Sequence, residues 1–212
     1  MPHNTVRARL EAGLQDLPFA VDAEQCSAML AYLDLLNRWN AVHNLTAVRD
    51  PLAQVSVHVL DSLAVLPCIG ENCATLADIG SGAGLPALPF AIMRPQMRIY
   101  AVEASQKKSA FIRHATIALG LRHVVVVNQR VENWQADEHL DVITSRAMAS
   151  LPLFLRLTRH LGDERTRWLI FKGAAVEEND VEGFLVEAPV QIEVPLLDAR
   201  RTVYAARLEC AS

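Results

Sequence analysis

The chain is poor in several things, and each shortage excludes a class of protein. No segment of its 212 residues is expected to approach the roughly 18 uncharged apolar residues that a membrane span requires. Its start, Met1-Pro2-His3-Asn4-Thr5-Val6-Arg7, has no apolar leader core, so a cytoplasmic protein with no membrane partner is expected. Cysteine is scarce: Cys26, Cys68, Cys73 and Cys210 fit neither a zinc ribbon nor a C-x-x-C redox pair and read as reduced packing residues. There is no H-x-x-x-H pair, so no metal is expected. There is also no excess of positive charge. With 20 Lys and Arg against 24 Asp and Glu, the net charge is −4. That balance counts against a nucleic-acid partner without excluding one, because phosphate binding depends on a local patch. No internal repeat or low-complexity tract occurs, and 51% hydrophobic with 21% charged residues describes a globular chain.

What is present begins with Asp78-Ile79-Gly80-Ser81-Gly82-Ala83-Gly84, directly behind the apolar run Ala74-Thr75-Leu76-Ala77. This is a strand running into a glycine turn. Glycines at alternate positions permit a sharp turn and the close approach of a ligand, and Asp78 puts a carboxylate at the carboxyl end of the strand. A dinucleotide fingerprint needs its third glycine where Leu85 stands, so the spacing favours S-adenosylmethionine (SAM) over NAD. Glu103 ends a second strand, Ile99-Tyr100-Ala101-Val102-Glu103, 23 residues after Gly80, and is placed to meet a ribose. Behind a third strand, Val124–Val127, the loop Arg130-Val131-Glu132 can reach an adenine ring, with Glu132 accepting from its amine. Singly, each acid reads as a surface charge; three at successive strand ends form a pattern.

The first 70 residues read as helices. Val6, Leu10, Leu14 and Leu17 share one face, Asp22 with Gln25 opens a second helix, and Asp50 with Pro51 opens a third whose inner face is Val55, Val59, Leu63 and Leu66. Strands are expected near 75–79, 98–103, 124–128, 141–145, 167–172, 190–195 and 202–208, with helices near 86–94, 106–119, 150–160 and 177–186. The link between the last two strands is too short for a parallel crossover, so one strand must be reversed. The expected fold is α/β, a doubly wound class I SAM-dependent methyltransferase fold with a seven-stranded sheet and one antiparallel strand. Residues 1–70 form an N-terminal helical extension packed on a methyltransferase domain over 71–212. Arg130, Arg146, Lys172 and Arg201, at strand ends or in loops, would give the cofactor cleft a basic rim, with Lys107 and Lys108 as extensions. His58 is the one neutral-range titrating side chain in the proposed site.

Asn44-Leu45-Thr46 with Arg49-Asp50-Pro51, His58-Val59-Leu60-Asp61-Ser62, the glycine turn through Leu85-Pro86, Thr144-Ser145-Arg146-Ala147 and Phe171-Lys172-Gly173 come in the order seen in one family. Over residues 26 to 201 the chain resembles the bacterial small-subunit ribosomal RNA methyltransferase G family, also called glucose-inhibited division protein B. The resemblance implies a SAM-dependent methyltransferase acting on N7 of a guanine in 16S rRNA near the decoding centre. It implies that Gly80, Leu85, Val131, Glu132 and Arg146 meet SAM, beside Asp78, Gly82, Gly84 and Glu103 from the direct reading. It also implies that Asn44, His58, Arg130, Lys172 and Arg201 approach the RNA. Guanine N7 has no proton to lose, so no general base is required, and Asn44, Arg146 and Lys172 are the candidate positioning groups. A monomer acting on 16S rRNA or the small subunit is expected. Two other readings stand beside it, a small-molecule methyltransferase and a non-catalytic ribosome-binding module on the same fold, and an NAD dehydrogenase is disfavoured by Leu85.

Overall fold

Capping residues explain where the amino-terminal helices begin. In the computed structural model, which describes residues 2–146, 150–173 and 180–209, helix α1 (Pro2–Gln15) precedes α2 (Ala23–His43). At the start of α2 the expected capping box is formed: Asp22 accepts from the Gln25 amide at 2.7 Å, and Gln25 accepts from the Asp22 amide at 2.9 Å. Asp50 caps α3 (Pro51–Gln54) through the Leu52 and Ala53 amides, with Pro51 in the first turn where no hydrogen bond is lost. The helix does not end there. It widens into a π turn over Val55–Leu60, resumes as α4 (Asp61–Ala64) and closes in a 3₁₀ turn over Leu66–Ile69. Pro51–Ile69, interrupted by the charge of Asp61, is by length and composition long and apolar enough to cross a membrane, with a mean hydropathy of 1.6; 72% of it is buried inside the protein, as a core helix.

The strands are β1 (Thr75–Ile79), β2 (Arg98–Val102), β3 (Val124–Val127), β4 (Val142–Arg146), β5 (Arg167–Lys172), β6 (Phe184–Val186), β7 (Val190–Glu193) and β8 (Arg200–Leu208). They join in the order β3-β2-β1-β4-β5-β8, with β6 and β7 in tandem along the outer edge of β8. The first five are parallel and β8 runs against β5, so the reversed strand is where the sequence placed it. The seventh sheet position is filled by two short strands instead of one. Of the helix expected near 177–186, residues 177–179 lie outside the described residues and Phe184–Val186 is strand. Gly183, at φ +78°, turns the chain, and Phe184 packs edge-on against the Trp168 ring at 5.2 Å.

Strand alternation sorts the core into two layers. Leu76, Ile99, Leu169, Phe171 and Val203 face α1, α2, α5 (Ala87–Met93) and α6 (Gln106–Ala118), and the amino-terminal helices share this core without a break. Ala77, Ile79, Tyr100, Ile143, Ile170 and Tyr204 face α7 (Leu151–Thr158) on the other side. Cys26, Cys68 and Cys73 are free thiols, while Cys210 lies outside the described residues.

Candidate active site

The glycine turn crosses the carboxyl ends of β1 and β2. The Gly80 and Ser81 amides both donate to the Val102 carbonyl, at 2.8 and 3.1 Å. The Gly82 amide donates to Glu103 at 2.8 Å, and the other Glu103 oxygen accepts from the Ser105 amide at 2.8 Å. Glu103 therefore fixes the turn with both of its oxygens. From the other side, the Tyr32 hydroxyl on α2 donates to the Ala83 carbonyl at 2.9 Å. Burial raises the phenol far above its ordinary range, so it stays a donor.

The glycines of this turn do different jobs. Gly82, at φ +58°, would meet no protein side chain if it carried a Cβ; the space beyond it is open. Gly84, at φ +78°, would drive a Cβ to 2.6 Å from Leu88. A side chain at Gly84 would thus disturb the packing of the turn on α5, whereas the space at Gly82 is open.

Two cavities meet at Gly80. The larger, about 420 Å³, is walled by Thr46, His58, Asp61, Gly80–Ala83, Leu85, Arg146, Phe171–Gly173 and Arg201. The smaller, about 230 Å³, is walled by Gly80, Glu103, Gln129, Arg130, Val131, Glu132 and Leu157. Most of the sequence-expected residues thus gather on one continuous cleft. Asn44 does not: it takes the left-handed cap position of α2 at φ +50°, and its side chain accepts from Arg49 at 2.6 Å. His58 lies in the wall and not on the rim. It is 4% exposed, its Nε2 is 3.0 Å from the Thr46 hydroxyl, and burial plus the Arg146 charge lower its pKa to about 4. A neutral, buried imidazole offers no cation to the cleft at neutral pH.

The residue that sequence reasoning left out of the site is Asp61. At 4% exposed it pairs with Arg146 at 3.1 Å and, on its other oxygen, with the Nε of Arg201. Arg146 also donates to the Val57 carbonyl at 2.9 Å, inside the π turn. The π turn, the end of β4 and the start of β8 are thereby locked together. The signal was in the sequence, Asp61 one turn after His58, but it pointed to the histidine and not to two arginines far along the chain.

Asp78 is fully buried beneath the turn. One carboxylate oxygen accepts from the Ala87 amide at 3.3 Å and the other has no partner. Desolvation raises its pKa to about 7. An orphaned buried oxygen under an open glycine is a fitting base for an amine-bearing cofactor. Because the folded pKa exceeds the usual carboxylate value of 3.8, the group favours folding when protonated, and that contribution is lost as pH rises from about 4 to 7. It amounts to about 4 kcal/mol across the window. His58 has the opposite slope, since its lowered pKa costs stability as pH falls from 6.5 towards 4. Above pH 6.5 only the Asp78 effect remains of the two. Asp78→Asn is therefore expected to raise the Tm of the ligand-free protein at pH 8 by a few degrees while weakening SAM binding. Melting curves at pH 6 and 8 check this; an unchanged or lower Tm at pH 8 rules it out.

A parallel sheet closed by one reversed strand, with a glycine turn and strand-end acids at its carboxyl edge, defines a class I SAM-dependent methyltransferase. The chain belongs to the rRNA small subunit methyltransferase G family, whose profile matches residues 25–193. It is 44% identical over 198 residues to the ribosomal RNA small subunit methyltransferase G of Dichelobacter nodosus, covering 93% of each chain. The protein of the same description from Laribacter hongkongensis is 42% identical, covering 92% of this chain and 95% of that one. A SAM-dependent methyltransferase from Aquifex aeolicus shares the fold at TM-score 0.57 and 18% identity, covering 84% of this chain and 98% of that one.

Proposed function

We propose that this SAM-dependent enzyme methylates N7 of a guanine in 16S rRNA near the decoding centre, with the turn at Gly80–Gly84 and the acids Asp78, Glu103 and Glu132 holding SAM. The observation that carries the choice of acceptor is the nature of the cavity wall. Arg146, Lys172 and Arg201 supply positive charge, the one Asp61 carboxylate is taken up by Arg146 and Arg201, and His58 is too weak a base, at about 4, to take a proton at neutral pH. Asp78, under the glycine turn and taken up by the cofactor, does not line this cavity. Such a wall suits a nucleophile that carries no proton, and guanine N7 is one. SAM supplies the electrophilic methyl group. The protein's share is to hold the base edge, through Arg146 and Lys172 near O6, and to exclude water with Leu85 and Phe171. Placement of this kind can supply about 7–11 kcal/mol of the barrier reduction. Arg130 at the mouth of the smaller cavity and Arg201 meet phosphate, while Leu85, Val131 and Arg146 line the cofactor's path.

On this reading the enzyme works as a cytoplasmic monomer, and residues 1–70 are an extension that seals one side of the cleft. The deciding experiment incubates labelled SAM with 16S rRNA and small subunits and maps the modified base. Label at a base position other than guanine N7, or none in either substrate, defeats the assignment. His58→Gln is expected to keep most of the single-turnover rate, whereas Arg146→Ala and Lys172→Ala slow it by about 10- to 1,000-fold, roughly 1.4–4 kcal/mol. Complete loss in His58→Gln with both ligands still bound would call for an acceptor that must be deprotonated.

A further inference from the structure

The charge of the chain is unevenly laid out. Residues 35–49 and 104–131 contain seven lysines and arginines, Arg38, Arg49, Lys107, Lys108, Arg113, Arg122 and Arg130, and no aspartate or glutamate, in a protein of net charge −4. These two segments supply the carboxyl half of α2 and the whole of α6, which pack side by side. Arg38, Arg49, Arg113 and Arg130 are all exposed.

Between the two helices lies a shallow groove of about 420 Å³ walled by Leu35, Arg38, Trp39, Val42, His43 and His114. Trp39 is its centre. The indole N–H donates to His114 Nδ1 at 2.8 Å, the ring is tilted against His43 at 5.1 Å, and its edge rests on the buried Phe111 at 5.7 Å. Thus the indole is held in one orientation while remaining partly exposed; the other tryptophans, Trp134 and Trp168, are 6% and 1% exposed. Val42, 73% exposed, adds apolar surface to the groove wall. The groove adjoins the catalytic cleft along the chain, since α2 ends at His43 and Thr46 already lines the larger cavity.

We propose that the α2–α6 groove is a second RNA-docking surface, where an unpaired base of the substrate RNA stacks on Trp39 while Arg38 and Arg113 meet the flanking phosphates. The inference rests on the RNA reading given above. Charge complementarity selects the occupant: a fixed aromatic ring between cations, with no carboxylate in either segment, suits a single strand, because every base has a face to stack and every linkage a negative charge. An acidic peptide would be met by the cations but would leave the ring array unused. The surface lets the enzyme grip RNA beside the target base without any added interaction in the reacting cleft.

The test measures binding of deproteinised 16S rRNA by the intact protein, alongside SAM affinity, Tm and single-turnover methyl transfer at saturating RNA. Trp39→Ala is expected to weaken RNA binding about 10-fold, the loss of one stacked base, with SAM affinity and the saturated rate unchanged. Trp39→Phe should recover most of the affinity. Arg38→Gln and Arg113→Gln, on exposed positions, should each lower the slope of log K against log salt by about one unit, and they test the surface even if Trp39→Ala lowers the Tm. RNA should quench the Trp39 emission. Wild-type affinity and salt slope in all of these variants overturn the proposal while leaving the catalytic reading intact. A defect seen with assembled small subunits but not with free RNA also overturns it, in favour of a ribosomal protein as occupant. Failure of the wild type to bind or methylate rRNA removes the functional reading and this surface with it.

Discussion

Gly82→Val will abolish SAM binding and leave the fold standing. The position sits at φ +58°, where a side chain costs about 1–2 kcal/mol of backbone strain, a loss that a domain of ordinary stability survives. A Cβ there strikes nothing in the protein, so the added isopropyl group projects into the open cleft that the cofactor needs. The neighbouring Gly84→Ala will do the reverse. Its methyl would be forced against Leu88 at 2.6 Å, so the loss appears as a lowered Tm, with binding affected through the loosened turn. Calorimetric titration with SAM, set beside thermal melts, separates the two. Measurable SAM affinity in Gly82→Val, or loss of folding in that variant and not in Gly84→Ala, would contradict the assignment of space.

Asp61→Asn will slow methyl transfer by about 100-fold, the size of effect expected when reacting groups are displaced by about 1 Å. The asparagine keeps the shape but removes the charge that holds Arg146 and Arg201 from opposite ends of the site. Both arginine side chains are mostly buried, at 21% and 20% exposed, so leaving them without a counter-charge also lowers stability, by about 3 kcal/mol. Pairing Asp61→Asn with Arg201→Gln should cost less than the sum of the two single changes, because the second removes a charge the first has stranded. Strict additivity would show that the carboxylate does not act through the arginine. Asp61→Glu is too long for the same two bonds and should recover only part of the rate.

The core topology was legible because its signals are local. A capping box at Asp22 and Gln25, alternating apolar residues in each strand and a glycine turn behind β1 depend on neighbours a few residues away. The short link before Arg200 announced the reversed strand. What escaped was long-range. Nothing near Asp61 says that Arg201, distant in the chain, will fall on it. The π turn that sets His58 and Asp61 in the cavity wall has no sequence signature comparable to a cap. Asn44 takes a left-handed cap, and because such a cap and a binding loop favour the same residue type, the sequence alone did not show the cap. The split of the last edge into β6 and β7 was hidden by acidic residues that resemble a helical surface.

The order in which β8 joins the sheet has a consequence for synthesis. It leaves the ribosome after β5, β6 and β7, yet it lies inside the sheet, between β5 and the pair β6 and β7. Among the described residues β6 and β7 have no other strand partner, and until residue 200 is made, β5 offers a bare edge to any extended chain nearby. A nascent chain can assemble the cofactor turn early, but Asp61 waits for Arg201. At about 5–20 residues per second the exposed interval is a few seconds for each chain. During it the protein is open to mispairing with its own copies on a polysome, and completion of the site marks the moment at which that hazard ends.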